Sequence, residues 1–174
     1  RPPSGVAATS GKVILFGNIR RYKGIDELLA AVRQCDVEPF ALRIVGRPLD
    51  NESATAIGQA TSTDARVSAR LEYLEDSELA GEIAASSLVV LPYRDLVNSG
   101  AALLALSLDR PVLVPSTPST IELQDEVGPQ WVMTYSPPLT GSDLARSLAL
   151  ASDVVGSQRP DLSGRDWDQA ARAH

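Results

Sequence analysis

Short apolar runs alternate with segments of helical periodicity along most of this chain. Residues 13–16 form a β-branched apolar run closed by Gly17, and residues 25–33 repeat apolar side chains at helical spacing. Further strands are predicted at residues 40–45, 67–74, 88–91, 111–114 and 131–134, and further helices at residues 53–61, 76–85, 99–108, 119–127 and 142–154, with Asp76 as the cap of the third helix. Strands that alternate with short helices form a parallel sheet joined by right-handed crossovers. The sequence therefore predicts an α/β domain with a doubly wound, Rossmann-like parallel sheet.

The composition is that of an ordinary globular chain. Of its 174 residues, 44% are hydrophobic and 22% are charged, which excludes wholesale disorder, collagen and coiled coil. The apolar runs are much shorter than the roughly 20 residues that a membrane-spanning helix needs, so no transmembrane segment is predicted. The net charge of -6 argues against a nucleic-acid partner, because phosphate binding needs a positive surface.

The chain holds one cysteine and one histidine. Cys35 has no second cysteine with which to form a disulfide, and we expect it to be a small buried residue on a helix. His174 is the last residue, so a histidine-based catalytic triad within this chain is excluded. One cysteine and one histidine do not make a zinc site, and no carboxylate cluster has metal-ligand spacing. No metal site is predicted.

The two ends differ in composition from the middle. Residues 1–11 are rich in Pro, Gly and Ser, which indicates a linker or tail. Residues 12–155 carry the periodic pattern and form the predicted domain. Residues 156–174 are predicted to be a C-terminal segment with a short helix near Trp167, whereas Trp131 begins an apolar strand and is predicted to lie in the core. Because the sequence begins with Arg1, we expect it to come from a longer protein.

Two loops are candidates for binding an anion, since ligands of open α/β sheets lie beyond the carboxyl ends of the strands. The loop after the first strand carries Arg20, Arg21 and Lys23 before a helix N-terminus, a place where phosphate binds readily. The alternative is a solvated basic turn. The loop after the fourth strand ends in 98–100, Asn-Ser-Gly, at the start of an apolar helix. Here the alternative is an ordinary N-cap.

The sequence patterns of three other classes of doubly wound domain are absent. There is no G-x-G-x-x-G after the first strand and no G-x-x-x-x-G-K-[ST], so neither a dinucleotide fingerprint nor a Walker loop is present. Gly17 and Asn18 stand where a receiver domain would carry a pair of acids. These absences exclude three common classes of doubly wound domain.

Four segments together resemble the group 1 glycosyltransferases, a large retaining family with the two-domain GT-B fold. They are residues 16–29, 42–46, 84–94 and 110–115, in the family's order and at its separations. The resemblance covers residues 12–154 and is to the C-terminal, donor-binding domain. It implies a Rossmann-like half of a GT-B fold that binds a nucleoside diphosphate sugar of the UDP or GDP type. It also implies transfer to a glycan or lipid-linked acceptor held by a missing N-terminal domain, without a metal or other cofactor.

The resemblance also assigns roles to particular residues. It implies that Lys23 binds the donor diphosphate together with an Arg. Because Asn18 stands where the family usually has this Arg, the role of the Arg passes to Arg20. Asn98, Ser99 and Gly100 match the helix terminus that holds the distal phosphate, and Gly46, Arg47, Leu74 and Glu75 match the loops at the base and ribose. Arg20 and Lys23 would stabilise the leaving group, and no further catalytic residue is assigned. The C-terminal segment would cross back to the missing domain, and the full-length protein would be cytoplasmic, at the inner face of a membrane.

One departure from the family pattern affects this prediction. Many members carry two glutamates separated by seven residues, and these positions fall on Leu96 and Leu104. Neither Asp95 nor Glu122 can be assigned as a replacement. Two alternatives therefore stay open: a non-catalytic nucleotide-sugar-binding or regulatory module, and an unrelated doubly wound domain.

Overall fold

A computed structural model describes residues 7–20, 24–93 and 100–163, and strands and helices alternate throughout these ranges. The strands are β1 (Lys12–Phe16), β2 (Ala41–Val45), β3 (Val67–Arg70), β4 (Leu88–Val90), β5 (Val112–Pro115) and β6 (Val132–Tyr135). The helices are α1 (Ile25–Gln34), α2 (Asn51–Thr63), α3 (Asp76–Ala84), α4 (Gly100–Ser107), α5 (Pro118–Val127) and α6 (Gly141–Val154). The periodicity of the sequence therefore places these elements correctly to within a few residues.

The strands form one parallel sheet in the order β3-β2-β1-β4-β5-β6. β1 lies at its centre, with Val13 opposite Leu42 on β2 and opposite Leu88 on β4. The chain builds the sheet outward from β1 to β3 and then returns to β4 on the other side of β1. The predicted doubly wound, Rossmann-like class is confirmed, and its strand order reverses between β1 and β4.

The core is formed by the central strands and the helix faces that cover them. Ile14, Leu88 and Leu113 are fully buried, as expected of parallel strands covered on both faces. Burying a large aliphatic side chain contributes about 1.5 to 3 kcal/mol, so each of these side chains adds substantially to the stability of the fold. Trp131 and Cys35 are also buried, as predicted, but Cys35 is the C-cap that follows α1 and not a helical residue, and β6 begins one residue after Trp131.

Most helices begin at a side chain that caps their first turn. The Asp50 carboxylate accepts from the backbone N–H of Ser53 at 2.7 Å at the start of α2. At the start of α6 the Thr140 hydroxyl accepts from the N–H of Asp143 at 3.2 Å. The N-cap of α3 is Glu75, so the prediction that Asp76 caps this helix is wrong by one residue. Asp76 is the first helical residue, where its charge suits the positive end of the helix.

β3 is shorter than its predicted extent of residues 67–74. Its ladder to β2 ends where the N–H of Gly46 donates to the carbonyl of Arg70 at 3.0 Å. Beyond that point Leu71 and Tyr73 are exposed and Leu74 is buried. The apolar alternation continues past the strand, but β3 is an edge strand and its partner β2 turns away at Gly46. Residues 71–75 are consequently a loop.

The described part of the amino-terminal segment is attached to the domain. The N–H of Thr9 donates to the carbonyl of Ala85 at 2.9 Å, and the hydroxyl of Ser87 donates to the carbonyl of Thr9 at 2.6 Å. At the other end α6 stops at Val154. Trp167 and the predicted C-terminal helix lie outside the described residues. Within the described ranges no helix is both long and apolar enough to cross a membrane.

Candidate nucleotide-binding site

The carboxyl ends of β1 and β4 meet where the strand order reverses, which is where ligands bind in open α/β sheets. The loop after β1 begins at Gly17, and the loop after β4 runs through Pro92 and Tyr93. The Tyr93 hydroxyl donates to the carbonyl of Phe16 at 3.1 Å. This bond ties the loop after β4 to the end of β1, so that both loops border one crevice.

Gly24 brings the start of α1 against the loop after β4. It has φ of 75°, and a Cβ built on it would lie 2.4 Å from the carbonyl oxygen of Pro92. Only glycine combines this left-handed conformation with so close an approach. As N-cap, Gly24 provides no side chain to bond the first turn of α1. The first N–H groups of α1 therefore lie beside the loop after β4.

The loops after β1 and β2 are joined by backbone hydrogen bonds. The N–H of Ile19 donates to the carbonyl of Arg47 at 3.0 Å, and the N–H of Leu49 donates to the carbonyl of Ile19 at 2.9 Å. Ile19 is buried beneath this pairing, and Arg20 and Arg47 are exposed on either loop. The structure thus brings two of the predicted cationic residues to the same edge of the sheet.

Gly46 has a packing role that the sequence alone did not indicate. Its φ is 139°, and a Cβ would lie 1.9 Å from the carbonyl oxygen of Gly17. The residue lets the backbones of the two loops touch. This close approach requires a glycine at position 46, and the predicted place of Gly46 in the base-binding loops stays a prediction.

The loop after β3 adds one buried and one capping residue to the edge. Leu74 is 7% exposed, so its side chain faces the core, whereas Glu75 is exposed and caps α3. Arg70 donates to Glu72 at 2.6 Å and to Glu78 at 3.2 Å. Hydrogen bonds to these carboxylates, to Glu72 above all, raise the pKa of Arg70 above its ordinary value. The loop is braced by charged contacts on its flanks.

Tyr73 is an exposed aromatic residue in the loop after β3. It is 73% exposed, the largest exposed fraction among the large hydrophobic residues that the structure describes. In the sequence it was assigned to the predicted strand 67–74, where an aromatic residue is common. The early end of β3 is what places it in a loop at the carboxyl edge.

The second predicted phosphate-binding element is α4. Gly100 is its first residue and is buried, and the helix is apolar almost throughout, as predicted. Lys23, Asp95, Leu96, Asn98 and Ser99 lie outside the described residues, so their roles stay predictions. Leu104 lies on α4, partly buried and packed against the core. Leu104 is one of the two positions at which the resemblance implies a glutamate, and Glu122 is exposed on α5.

Arg110, which belongs to one of the family-like segments, lies at the opposite edge of the sheet. It is 5% exposed and donates to the carbonyls of Ala84, at 2.5 and 3.2 Å, and of Asp109, at 3.0 Å. Burial lowers its pKa below the ordinary value. Arg110 therefore secures the carboxyl end of α3 and the turn after α4, away from the candidate site.

Among the described residues, clefts lie near both ends of the strands. One of about 610 Å³ is lined by Ser116, Thr117 and Pro137 at the carboxyl ends of β5 and β6. A larger one of about 1030 Å³ lies at the amino edge, beside Pro39 and Arg110, and none of the predicted site residues lines it. The strand ends, not the size of the cleft, decide where a nucleotide is expected. Over the described ranges no group of three or more His, Cys, Asp or Glu side chains is placed to hold a metal ion.

The chain is similar in sequence to curated mannosyltransferases. Two proteins named GDP-mannose:glycolipid 4-beta-D-mannosyltransferase, from Xanthomonas campestris pv. campestris and one of its strains, are 43% and 42% identical to it over 164 residues. Each alignment covers 94% of this chain and 47% of the relative. The chain therefore spans about half the length of the curated relatives it matches. No model of a known protein family matches it.

Solved glycosyltransferase structures share its fold. The C-terminal domain of a group 1 family glycosyl transferase from Francisella tularensis matches with a TM-score of 0.63 at 19% identity, over 87% of this chain and 84% of that one. The catalytic domain of cholesterol-alpha-glucosyltransferase from Helicobacter pylori matches with a TM-score of 0.62 at 17% identity, over 95% and 97% of the two chains. At these identities the likeness shows the fold alone, which is that predicted from the sequence.

Proposed function

We propose that this chain, as a C-terminal domain of the group 1 GT-B glycosyltransferases, binds the nucleoside diphosphate sugar from which the whole enzyme transfers a sugar. The observation that carries the proposal is the packing of Gly24 on Pro92. This contact brings the start of α1 against the loop after β4, because Gly24 is the N-cap of α1, and Lys23 precedes Gly24 directly in the sequence. A helix N-terminus next to a lysine is a favourable site for phosphate.

The chemical task of this half is to stabilise the leaving diphosphate. As the bond between the sugar and the diphosphate breaks, negative charge grows on the phosphate oxygens. Lys23, Arg20 and the N-termini of α1 and α4 are the groups proposed to meet that charge, and each such preorganised donor is worth about 3 kcal/mol of transition-state stabilisation. With protein cations in that role, transfer needs no metal. Full activity of the whole enzyme in excess chelator is the expected result.

The donor that we propose is GDP-mannose. This choice rests on the name of the relatives at 43% and 42% identity. The same name supports a glycolipid as the acceptor, held by the part of the protein beyond this chain, and hence a place for the whole enzyme at a membrane surface. A cytoplasmic location at the inner face stays a prediction.

The proposal also concerns the stereochemistry of transfer, that is, whether the configuration of the anomeric carbon is retained or inverted. The resemblance to the retaining family implies retention. The relatives' name specifies a β-D-mannosyl transfer, and the mannose of GDP-mannose is α-linked, so the same transfer by this protein would invert the anomeric carbon. Inversion is also compatible with Leu104 in the place of a family glutamate. The anomeric configuration of the product, read from its one-bond C–H coupling, decides between the two outcomes.

A non-catalytic binding module is the second candidate, and it is favoured by one observation. Leu104 packs against the core, so a carboxylate that many family members have is missing here. Such a module would bind the donor without turning it over. Multiple-turnover transfer by the full-length protein would exclude it.

A thermal-shift panel tests donor binding by the chain itself. The ligands are GDP, GDP-mannose, UDP, UDP-glucose and ADP, each at the same concentration. A ligand present at 100 times its dissociation constant stabilises by about 2.7 kcal/mol, which is a shift of several degrees for a domain of this size. We expect the guanine nucleotides to give the largest shifts. No shift with any of the nucleotides would contradict the proposed function.

A further inference from the structure

Glu27, in the first turn of α1, is bonded to a residue that is distant in the sequence. Its carboxylate accepts a hydrogen bond from the backbone N–H of Leu139, which lies in the segment that joins β6 to α6. Glu27 is partly buried and Leu139 is 4% exposed. A hydrogen bond to a charged group is among the stronger ones, and shielding from water strengthens it further. The bond therefore fixes the first turn of α1 against the segment after β6.

The direction of this bond distinguishes α1 from other helices of the domain. An acidic side chain at the third helical position commonly accepts from the backbone N–H of its own N-cap. Glu78 of α3 does so at 3.3 Å, and Asp143 of α6 does so at 3.0 Å. Glu27 holds the same position in α1, but its carboxylate bonds Leu139, and α1 has no side-chain cap among the described residues. The carboxylate is thus engaged elsewhere and does not fill the terminus of its own helix.

The start of α6 contacts the other end of α1. Gln34 is the last residue of α1, and its side-chain oxygen accepts from the N–H of Gly141 at 3.4 Å. A Cβ built on Gly141 would lie 2.6 Å from the carbonyl oxygen of Gln34. The helix is therefore held at both ends by neighbouring residues of the chain. The contact of Glu27 lies at the end where the diphosphate is proposed to bind, and the contact of Gln34 lies at the far end.

We propose that Glu27 is a positioning residue for the donor diphosphate and acts through the N-terminus of α1. This inference rests on the proposed function. The bond to Leu139 holds the first turn of α1 in place next to Gly24, which packs on Pro92. It also occupies a carboxylate that would otherwise compete with phosphate for the N–H groups of the helix terminus and repel it. Loss of this bond should therefore weaken diphosphate binding in a protein that still folds.

Two conservative substitutions separate the reach of this side chain from its charge. Glu27→Gln keeps the length and an oxygen that can accept from Leu139, but it removes the charge, so it should bind GDP at least as tightly as the wild type. Glu27→Asp keeps the charge but is one methylene group shorter, so its carboxylate should lose Leu139 and turn to its own helix terminus. In calorimetric titration its affinity for GDP should fall by about 3-fold or more, the size of an interaction between an anion and a helix terminus.

Gln34→Ala is the matched control. It removes the side chain that bonds the start of α6 at the far end of α1. Its stability should fall slightly, whereas its affinity for GDP should equal that of the wild type. Denaturant unfolding of each variant without ligand accompanies the titrations, so that a loss of stability is measured separately from a loss of affinity.

The outcomes separate this inference from the proposed function. Wild-type affinity in Glu27→Asp, or an equal loss in Glu27→Gln, would overturn the role of Glu27 and leave the proposed function standing. An equal loss in Gln34→Ala would do the same, because the packing of α1 as a whole would then set the affinity. Failure of Glu27→Asp to fold would make the bond purely structural and would also overturn the inference. If the wild type does not bind GDP, both the proposed function and the role of Glu27 are wrong.

Discussion

Gly46 packs against Gly17 so closely that a Cβ on Gly46 would lie 1.9 Å from the carbonyl oxygen of Gly17. The two residues end neighbouring strands, and their contact sets the path of both loops at the carboxyl edge. Arg20 follows Gly17 in the loop after β1, and Arg47 follows Gly46 in the loop after β2. The geometry of the proposed donor site therefore depends on a glycine that need not touch the donor.

Gly46→Ala should destabilise the domain by at least about 2 kcal/mol. The methyl group would meet a backbone oxygen, and φ of 139° is itself costly for alanine. Denaturant unfolding measures the loss. Gly58→Ala is the control, since a Cβ there has nothing within 4 Å and α2 should gain about 0.5 to 1 kcal/mol. Equal stability of Gly46→Ala and the wild type would show that the two loops separate freely.

Arg110→Ala should cost about 2 to 4 kcal/mol of stability. Its guanidinium bonds the buried carbonyl of Ala84 and the carbonyl of Asp109, and removing it leaves these oxygens unpaired beside a cavity. The affinity of the folded protein for GDP should stay the same, because Arg110 lies at the amino edge of the sheet. A variant that melts normally but binds GDP poorly would place Arg110 in the donor site instead.

Glu82 should make part of the stability dependent on pH. Arg43 on β2 donates to both oxygens of Glu82 on α3, at 3.0 and 3.1 Å, and these hydrogen bonds lower the pKa of Glu82, partly offset by burial. A carboxyl with a lowered pKa stabilises the fold fully above its unfolded value of about 4.3. That contribution is lost as the pH falls through the folded value.

Comparison of Glu82→Gln with the wild type isolates this contribution. The variant should be less stable than the wild type at pH 7, and the difference should shrink below the unfolded pKa of about 4.3, as the pH falls through the lowered pKa of Glu82 in the folded protein and its carboxyl becomes protonated. Urea unfolding across this range measures it. A difference that stays constant with pH would mean that the ion pair does not contribute.

The order and type of the elements could be predicted because they follow from local periodicity. Residues 25–33 repeat apolar side chains at helical spacing, and α1 occupies that segment. The end of β3 could not be predicted in this way. Leu71 and Tyr73 continue an apolar pattern, and the strand ends because β2 turns away at Gly46, a partner far away in sequence.

The candidate site was predictable in position but not in detail. The carboxyl ends of parallel strands lie at one edge of a sheet, so the spacing of the predicted strands is enough to place the loops of Arg20, Arg47 and Glu75 together. The contacts of Gly24 with Pro92 and of Gly46 with Gly17 join residues distant in sequence, so no local pattern contains them. The roles of Lys23, Asn98 and Ser99 stay predictions.

The central claim is that this chain binds a nucleoside diphosphate through its phosphates, and calorimetric titration of the wild type and Lys23→Ala with GDP tests it most directly. A charge-assisted phosphate contact is worth about 1.5 to 3 kcal/mol. We therefore predict saturable binding at one site in the wild type and a loss of roughly 10-fold to 150-fold in Lys23→Ala, with unchanged melting in the absence of ligand. Absence of GDP binding by the wild type at millimolar concentration, or equal affinity of the two proteins, would contradict the account.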